Sequence, residues 1–205
     1  DGEHYSVLDF NPKNRSTAVS KYSYKTLEKI STLVNSNDLN DISSFSNYTF
    51  SNDETKLLLA TNVTPIFRHS KLGKYYVYDL KTKKNKLLSK NKIQEPTFSP
   101  NGNKVAYVFE NNIYFTDLTN GKETQVTTDG KKNEIINGVT DWVYEEEFAF
   151  VRAFEWNSNG TKLAYIRFDE RKVPEFSMDV YGSKLYQTQT VFKYPKAGEN
   201  NAEVS

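Results

Sequence analysis

The sequence predicts an all-β fold, a partial β-propeller of about three to four four-stranded blades with one short helix at an acidic motif. A hairpin-like segment recurs at intervals of about 50 residues, which is typical of propeller blades. The 14 Tyr and 13 Phe residues favour strands, because aromatic side chains fit a pleated, half-buried surface. A sandwich or barrel built from hairpins is the alternative architecture.

Each repeat begins with a strand that ends in an aromatic residue, passes through a tight polar turn and resumes with Lys and an apolar strand. The three repeats are Tyr48–Leu59, Pro96–Tyr107 and Phe154–Tyr165. This pattern predicts hairpin turns at Asn52-Asp53, Asn101-Gly102 and Asn159-Gly160. Hairpins in a sandwich would not repeat the same turn at matched positions.

A third and a fourth strand are predicted after each hairpin, which completes a blade. The third strands are Tyr75–Leu80 and Asn112–Leu118, and the fourth strands are Lys86–Ser89 and Thr124–Thr128. Lys21–Leu27 resembles the third strand of an earlier blade. Because a half-ring leaves unpaired faces, we expect residues 1–205 to be part of a larger protein.

Two insertions of about ten residues interrupt the repeat. Thr61–Lys71 separates the second and third strands of one blade and carries Arg68, whereas Asn137–Val151 connects two blades and carries the acidic motif. Insertions in repeat proteins tend to project from one face as binding loops. We therefore expect both on one face, near the propeller axis, with Arg68 within salt-bridge reach of Glu146 or Glu147.

The acidic motif runs from Asp141 to Glu147 and ends in three consecutive carboxylates. A bare acidic run is most often a solvated surface. Here apolar residues on both sides, from Trp142 to Phe150, are expected to anchor the motif to the protein body. Anchored carboxylates can bind a compact cation such as a ligand ammonium. His69, in the other insertion, is interpreted as a structural hydrogen-bonding residue rather than a ligand contact.

Composition excludes several classes of function. With 27 basic and 26 acidic residues, the chain has no charge excess that would favour nucleic acid. It has no Cys and two His, so we predict no disulfide scaffold, no thiol nucleophile, no metal site and no cofactor. No apolar run approaches the roughly 20 residues that cross a bilayer, and no signal peptide pattern is recognisable.

These motifs together resemble the N-terminal propeller of the dipeptidyl peptidase IV family. Asn137–Glu147 resembles the family's acidic motif, Phe67–Ser70 its Arg-His-Ser motif, and Tyr194–Gly198 its Tyr-Pro-Lys-Ala-Gly segment, while Ser158–Tyr165 follows at the family's distance. The similarity is collinear over nearly the whole chain and is weakest before about residue 45. The composition, rich in Asn and Lys and free of Cys, resembles that of a bacterial member.

The resemblance implies an eight-bladed propeller joined to an α/β-hydrolase domain, with residues 1–205 as the N-terminal part of the propeller. It also implies a serine exopeptidase that releases Xaa-Pro, and less readily Xaa-Ala, dipeptides from peptides with a free N-terminus. By residue match, Glu146 and Glu147 hold the substrate's α-ammonium. Arg68 reaches the substrate's backbone carbonyl and the acidic pair, and Glu145 receives no ligand role.

The chemistry of such an enzyme explains these residue types. A dipeptidase measures two residues from a charged chain end, and a carboxylate about 4 Å from an ammonium contributes about 4 kcal/mol at an effective dielectric near 20, before desolvation. Two carboxylates share the ammonium's donors, and an acylated terminus lacks the charge. Adjacent carboxylates repel each other, and Arg68 would relieve that repulsion in the empty site.

No catalytic residue is predicted in residues 1–205, because they contain no Gly-x-Ser-x-Gly elbow. The resemblance places the Ser-Asp-His triad in the C-terminal hydrolase domain. It further implies a homodimer of the full-length protein and a periplasmic, secreted or cell-surface location in a bacterium. Two other classes stay open: a catalytically inactive propeller that acts as a peptide- or protein-interaction module, and a stand-alone propeller that binds glycans or peptides.

Overall fold

The computed structural model describes residues 2–205, and most of its regular structure is antiparallel strand. The strands in chain order are β1 (His4–Asn11), β2 (Ser16–Ser23), β3 (Lys29–Asn35), β4 (Asn47–Phe50), β5 (Lys56–Pro65), β6 (Lys71–Asp79), β7 (Lys84–Leu87), β8 (Gln94–Phe98), β9 (Lys104–Phe109), β10 (Asn112–Asp117), β11 (Glu123–Gln125), β12 (Ile135–Asn137), β13 (Phe154–Trp156), β14 (Leu163–Tyr165), β15 (Arg167–Asp169), β16 (Glu175–Val180), β17 (Thr188–Lys193) and β18 (Glu203–Val204). A 3-10 helix (Ser36–Asp38) follows β3, and the α-helix α1 (Trp142–Phe148) follows β12. None of the helices in residues 2–205 is long and apolar enough to cross a lipid bilayer.

Three sheets have the up-and-down order of propeller blades. The first sheet joins β1, β2 and β3, the second joins β4 to β7, and the third joins β8 to β11. In each of them every strand pairs with the next one along the chain in antiparallel register. The predicted all-β propeller class is confirmed.

The three predicted hairpin turns are present, and each has the same backbone hydrogen bond, in which the N–H of the fourth turn residue donates to the carbonyl of the first. The donors and acceptors are Glu54 N to Ser51 O (2.9 Å), Gly102 N to Ser99 O (2.8 Å) and Gly160 N to Asn157 O (2.9 Å). All three donor residues have positive φ angles, of 53°, 66° and 67°. Glycine adopts this conformation without strain, which explains why two of the three repeats carry Gly at that place.

The outer strands agree with the prediction less closely than the hairpins do. The predicted third strands lie in β6 and β10, but the fourth strands end early, at Leu87 and Gln125. Lys21–Leu27 overlaps β2, which ends at Ser23, where the chain turns and Leu27 N donates to Ser23 O. Short outer strands face solvent on one edge, so their ends depend on turns rather than on apolar pattern.

The hydrophobic core lies between successive sheets, so the central strands are buried on both faces. On β5, Leu57 and Leu59 pack toward the first sheet, whereas Leu58 packs toward the third sheet. On β9, Val105 and Tyr107 face back to the second sheet and Val108 faces forward to the last repeat. Alternate side chains of a strand point to opposite faces, which is why these strands are continuous apolar runs.

The last repeat departs from the four-stranded pattern, so two of the sheets, not three, have four strands. β13 and β14 form a two-stranded hairpin, while β15 pairs with β12 and β18. Ile166, between β14 and β15, donates its N–H to Ala153 and accepts at its carbonyl from Gly138. The chain from β14 to β15 therefore changes its strand partner, from β13 to β12 and β18, at the place where the acidic insertion joins the sheet. β16 and β17 form a separate, largely exposed hairpin.

Candidate functional site

Helix α1 presents the acidic motif, as the sequence predicts. Asp141 caps its N-terminus, because its Oδ1 accepts a hydrogen bond of 2.9 Å from Tyr144 N. At the other end Ala149 adopts a left-handed conformation (φ 54°), and its N–H donates to Glu145 O. The helix is only seven residues long, so the hydrogen bonds at its two ends hold the whole helix in place and thereby set the directions of its three carboxylates.

Aromatic rings anchor α1 to the protein body. Tyr144 makes an edge-on contact with the buried Phe168, with ring centroids 5.0 Å apart. Trp142 packs on Tyr194 of the Tyr-Pro-Lys-Ala-Gly segment at 4.7 Å. Phe148 is an exception among the expected anchors, since it is 63% exposed. The interpretation of an anchored acidic helix, rather than a loose acidic run, agrees with these contacts.

The three consecutive carboxylates have three different environments. Glu145 is 1% exposed, the Glu146 side chain is 16% exposed, and Glu147 is open to solvent. Neighbouring positions on a helix point in different directions, which separates the three side chains. Only part of the motif therefore faces the other insertion.

Arg68 and Glu146 form the predicted pair across the two insertions. Arg68 Nε lies 2.7 Å from Glu146 Oε2, although the residues are 78 positions apart. The Arg68 side chain is 70% exposed, and this is its single hydrogen bond within residues 2–205. A guanidinium has five N–H donors, so most of its hydrogen-bonding capacity faces solvent beside the carboxylate.

The turn that carries Arg68 is closed by its own hydrogen bonds. We call Ile66–Ser70 the Arg68 loop. Ile66 N donates to Ser70 O at 2.9 Å, and Phe67 N donates to Ser70 Oγ at 3.2 Å. Phe67 also packs on Phe192 of β17, with ring centroids 6.0 Å apart. These contacts make the loop a compact unit on top of the long hairpin β5–β6.

The sequence-predicted site residues are thus brought together in part. The exposed Glu147 side chain has no hydrogen bond or ion pair with any residue from 2 to 205, and its predicted ligand role stays a prediction. His69 contributes its backbone N–H, donated to Glu145 Oε1 at 2.7 Å, while its side chain is exposed. Sequence reasoning missed the structural importance of Glu145. Its spacing of three residues from Trp142 was a usable signal, because it places both on one helix face.

A cavity of about 240 Å³ lies between α1, the Arg68 loop and β17, next to the Arg68–Glu146 pair. Three carboxylates line it: Asp141, Glu145 and Glu170. Glu170 is 6% exposed, and burial together with the nearby charge of Asp141 raises the pKa of its carboxyl to about 7, against the opposing effect of Lys193. In residues 2–205, no group of three or more His, Cys, Asp or Glu residues has metal-site geometry.

The raised pKa of Glu170 makes stability depend on pH. The folded-state pKa of Glu170 lies above the ordinary value of 4.5, so the folded protein holds the Glu170 proton more tightly than the unfolded chain does. The stability that comes from this bound proton is complete below about pH 4.5 and is lost as the pH rises through 7. Glu170→Gln, which is neutral and of similar shape, should therefore be more stable than the wild type at pH 8 by about 1–3 kcal/mol. Urea unfolding at pH 5 and pH 8 tests this, and an advantage of the same size at both pH values would contradict it.

The fold and the site define a class: a propeller segment that presents an anchored acidic helix and an arginine loop side by side. The chain belongs to the family described as the dipeptidyl peptidase IV (DPP IV) N-terminal region, whose profile matches residues 51–205. It corresponds to an N-terminal portion of the propeller of such proteins, as the sequence motifs indicated.

Comparison with individual proteins also places the chain in this family. The chain is 39% identical over 168 residues to dipeptidyl peptidase 4 of Sus scrofa, covering 78% of this chain and 22% of the relative. It is 36% identical over 164 residues to prolyl endopeptidase FAP of Bos taurus, covering 78% and 21%. The crystal structure of Porphyromonas gingivalis dipeptidyl peptidase 4 superimposes with a TM-score of 0.90 at 40% identity, over 100% of this chain and 29% of that one. The chain thus spans less than a third of each of these relatives.

Proposed function

We propose that this chain recognises the peptide N-terminus for a serine dipeptidyl peptidase that releases Xaa-Pro, and less readily Xaa-Ala, dipeptides. The observation that carries the proposal is the Arg68–Glu146 pair. One carboxylate oxygen and four guanidinium N–H groups of this pair make no hydrogen bond to each other and lie side by side, where a ligand could bind both. A peptide terminus has the complementary groups, an ammonium donor and a carbonyl oxygen acceptor three bonds away from its nitrogen.

In this proposal Glu146 accepts hydrogen bonds from the substrate ammonium, and Glu147 approaches the same ammonium from the last turn of α1. Arg68 donates to the substrate's backbone carbonyl while it remains paired with Glu146. Its planar group can serve a carboxylate and a carbonyl together. The Arg68 side of the pair is open to solvent, and ion pairs open to solvent add little to folding stability, which favours a binding role over a structural one.

The chemistry itself is assigned to a hydrolase domain supplied by the rest of a longer protein. Residues 1–205 contain no nucleophile elbow, and the relatives that carry the name dipeptidyl peptidase are several times longer than the matched region. The propeller segment then gates and orients the substrate above the Ser-Asp-His triad. We further propose that the complete protein is a homodimer and acts in the periplasm, outside the cell or on the surface of a bacterium.

The test is cleavage of Gly-Pro and Ala-Pro chromogenic amides by the complete protein. We expect cleavage of both, with Gly-Pro and Ala-Pro amides of free amine preferred over their N-acylated forms. Binding of Gly-Pro peptides without cleavage would instead indicate an inactive interaction module. Equal cleavage of free and N-acylated amides would contradict the recognition of the charged terminus.

A further inference from the structure

Glu145 links the two insertions through a pair of hydrogen bonds that no other acidic residue of the motif makes. Its Oε1 accepts from His69 N at 2.7 Å and from Ser70 N at 2.9 Å. Glu145 is 1% exposed and Ser70 is 4% exposed, so the bond to Ser70 is buried, while the bond to the exposed His69 is partly buried. A charged acceptor of backbone N–H groups makes shorter and stronger hydrogen bonds than a neutral one.

We propose that Glu145 is the positioning residue of the site: it fixes the Arg68 loop against α1 and thereby sets the distance between Arg68 and Glu146. This inference rests on the proposed function, because it gives Glu145 its effect through substrate recognition. Glu145 is buried, so this role is indirect and acts through Arg68 rather than through contact with the substrate.

The contacts of the loop lead to this assignment. Within residues 2–205, the hydrogen bonds that join the Arg68 loop to α1 are the two bonds to Glu145 and the Arg68–Glu146 pair. The Arg68–Glu146 pair is open to solvent on its Arg68 side, so it holds the loop less firmly than the two bonds to Glu145 do. The loop's own hydrogen bonds and the Phe67–Phe192 contact hold its shape, while the two bonds to Glu145 are its firmest link to α1 and set where Arg68 lies relative to Glu146.

The geometry also predicts which substitutions are tolerated. Glu145→Gln keeps an acceptor oxygen at the same reach and loses the charge. Glu145→Asp keeps the charge but is one methylene shorter, so it cannot reach both N–H groups at hydrogen-bond distance. If position is what matters, Gln should replace Glu better than Asp does; if charge is what matters, the order reverses.

We would measure kcat and KM of the complete protein for the free-amine Gly-Pro chromogenic amide. Glu145→Ala and Glu145→Asp should lower kcat/KM roughly 10- to 100-fold, mainly through KM, because a displacement of about 1 Å at a positioning group costs up to about 100-fold. Glu145→Gln should retain at least about a third of the wild-type value, since it keeps the acceptor. Glu170→Gln is the matched control, a buried carboxylate of the same cavity that has no hydrogen bond to the loop, and should leave kcat/KM unchanged.

Arg68→Ala distinguishes a positioning role from a general structural one. In that background Glu145→Ala should reduce kcat/KM by less than about threefold further, because the group it positions is gone. A full additional loss there, or Asp performing better than Gln, would overturn the inference. If Glu145→Ala does not fold, the order of Gln and Asp decides. If instead Arg68→Ala and Glu146→Ala leave kcat/KM unchanged, the proposed function fails, and that result is separate from the Glu145 series.

Discussion

Glu146→Ala in the complete protein should lower kcat/KM for free-amine Gly-Pro amides by roughly 30-fold to several thousand-fold. The substitution removes one partner of a charge pair that is desolvated when the substrate binds, and such truncations typically cost about 2–5 kcal/mol. Glu146 is already largely buried and sits 2.7 Å from Arg68, so the guanidinium would also lose its anion. Glu147→Ala should act in the same direction if that side chain joins the ammonium.

A surface carboxylate provides the control for this measurement. Glu203 pairs with Lys172 on an exposed part of the chain, and its side chain is 67% exposed. Glu203→Ala should leave both kcat and KM at wild-type values, as expected for an exposed ion pair. If Glu146→Ala behaves like Glu203→Ala, the acidic motif is only a solvated surface and the proposed site is wrong.

Phe168→Ala should destabilise the propeller by about 3–5 kcal/mol, the largest stability effect that we expect from one substitution in this region. Phe168 is fully buried in the cluster between the third sheet and the last repeat. Removing its ring leaves a cavity and takes away the surface on which Tyr144 of α1 packs. The substitution should therefore also raise KM for free-amine substrates, because α1 carries Glu146.

Tyr165→Ala is the matched comparison for Phe168→Ala. Tyr165 is an aromatic residue of the neighbouring strand β14 but is 42% exposed, so its loss should cost well under half as much. Urea unfolding of the complete protein, followed at the propeller transition, gives both values. A Phe168→Ala protein no less stable than Tyr165→Ala would show that the last repeat is not held together by this cluster.

The sequence predicted the repeating part of the fold because that part is specified locally. A turn such as Ser99–Gly102 needs a residue that tolerates positive φ at one place, and alternating burial on both faces makes a strand such as β9 a continuous apolar run. The pair of Arg68 and Glu146 was also predictable, since both belong to insertions that interrupt an otherwise regular repeat.

Features that depend on distant contacts were not predictable in the same way. The partner of Glu145 is a backbone segment 76 residues earlier. The local sequence indicates only that Glu145 shares a helix face with Trp142, and not which group its carboxylate contacts. The exchange of partners at Ile166 depends on where the acidic insertion enters the sheet. Glu170 looks like an ordinary surface residue in its charged local sequence, yet it faces a cavity closed by α1, the Arg68 loop and β17, which are distant from it in sequence or in the sheet order.

The most direct test of the central claim combines the Glu146→Ala substitution with acylation of the substrate. The quantity is the ratio of kcat/KM for the free-amine Gly-Pro amide to that for its N-acetyl form, measured for the wild type and for Glu146→Ala. If Glu146 binds the ammonium, the ratio should be large for the wild type and should fall by at least about 30-fold in the variant, because both changes remove the same interaction. An unchanged ratio in the variant would contradict the assignment of Glu146 to the peptide N-terminus.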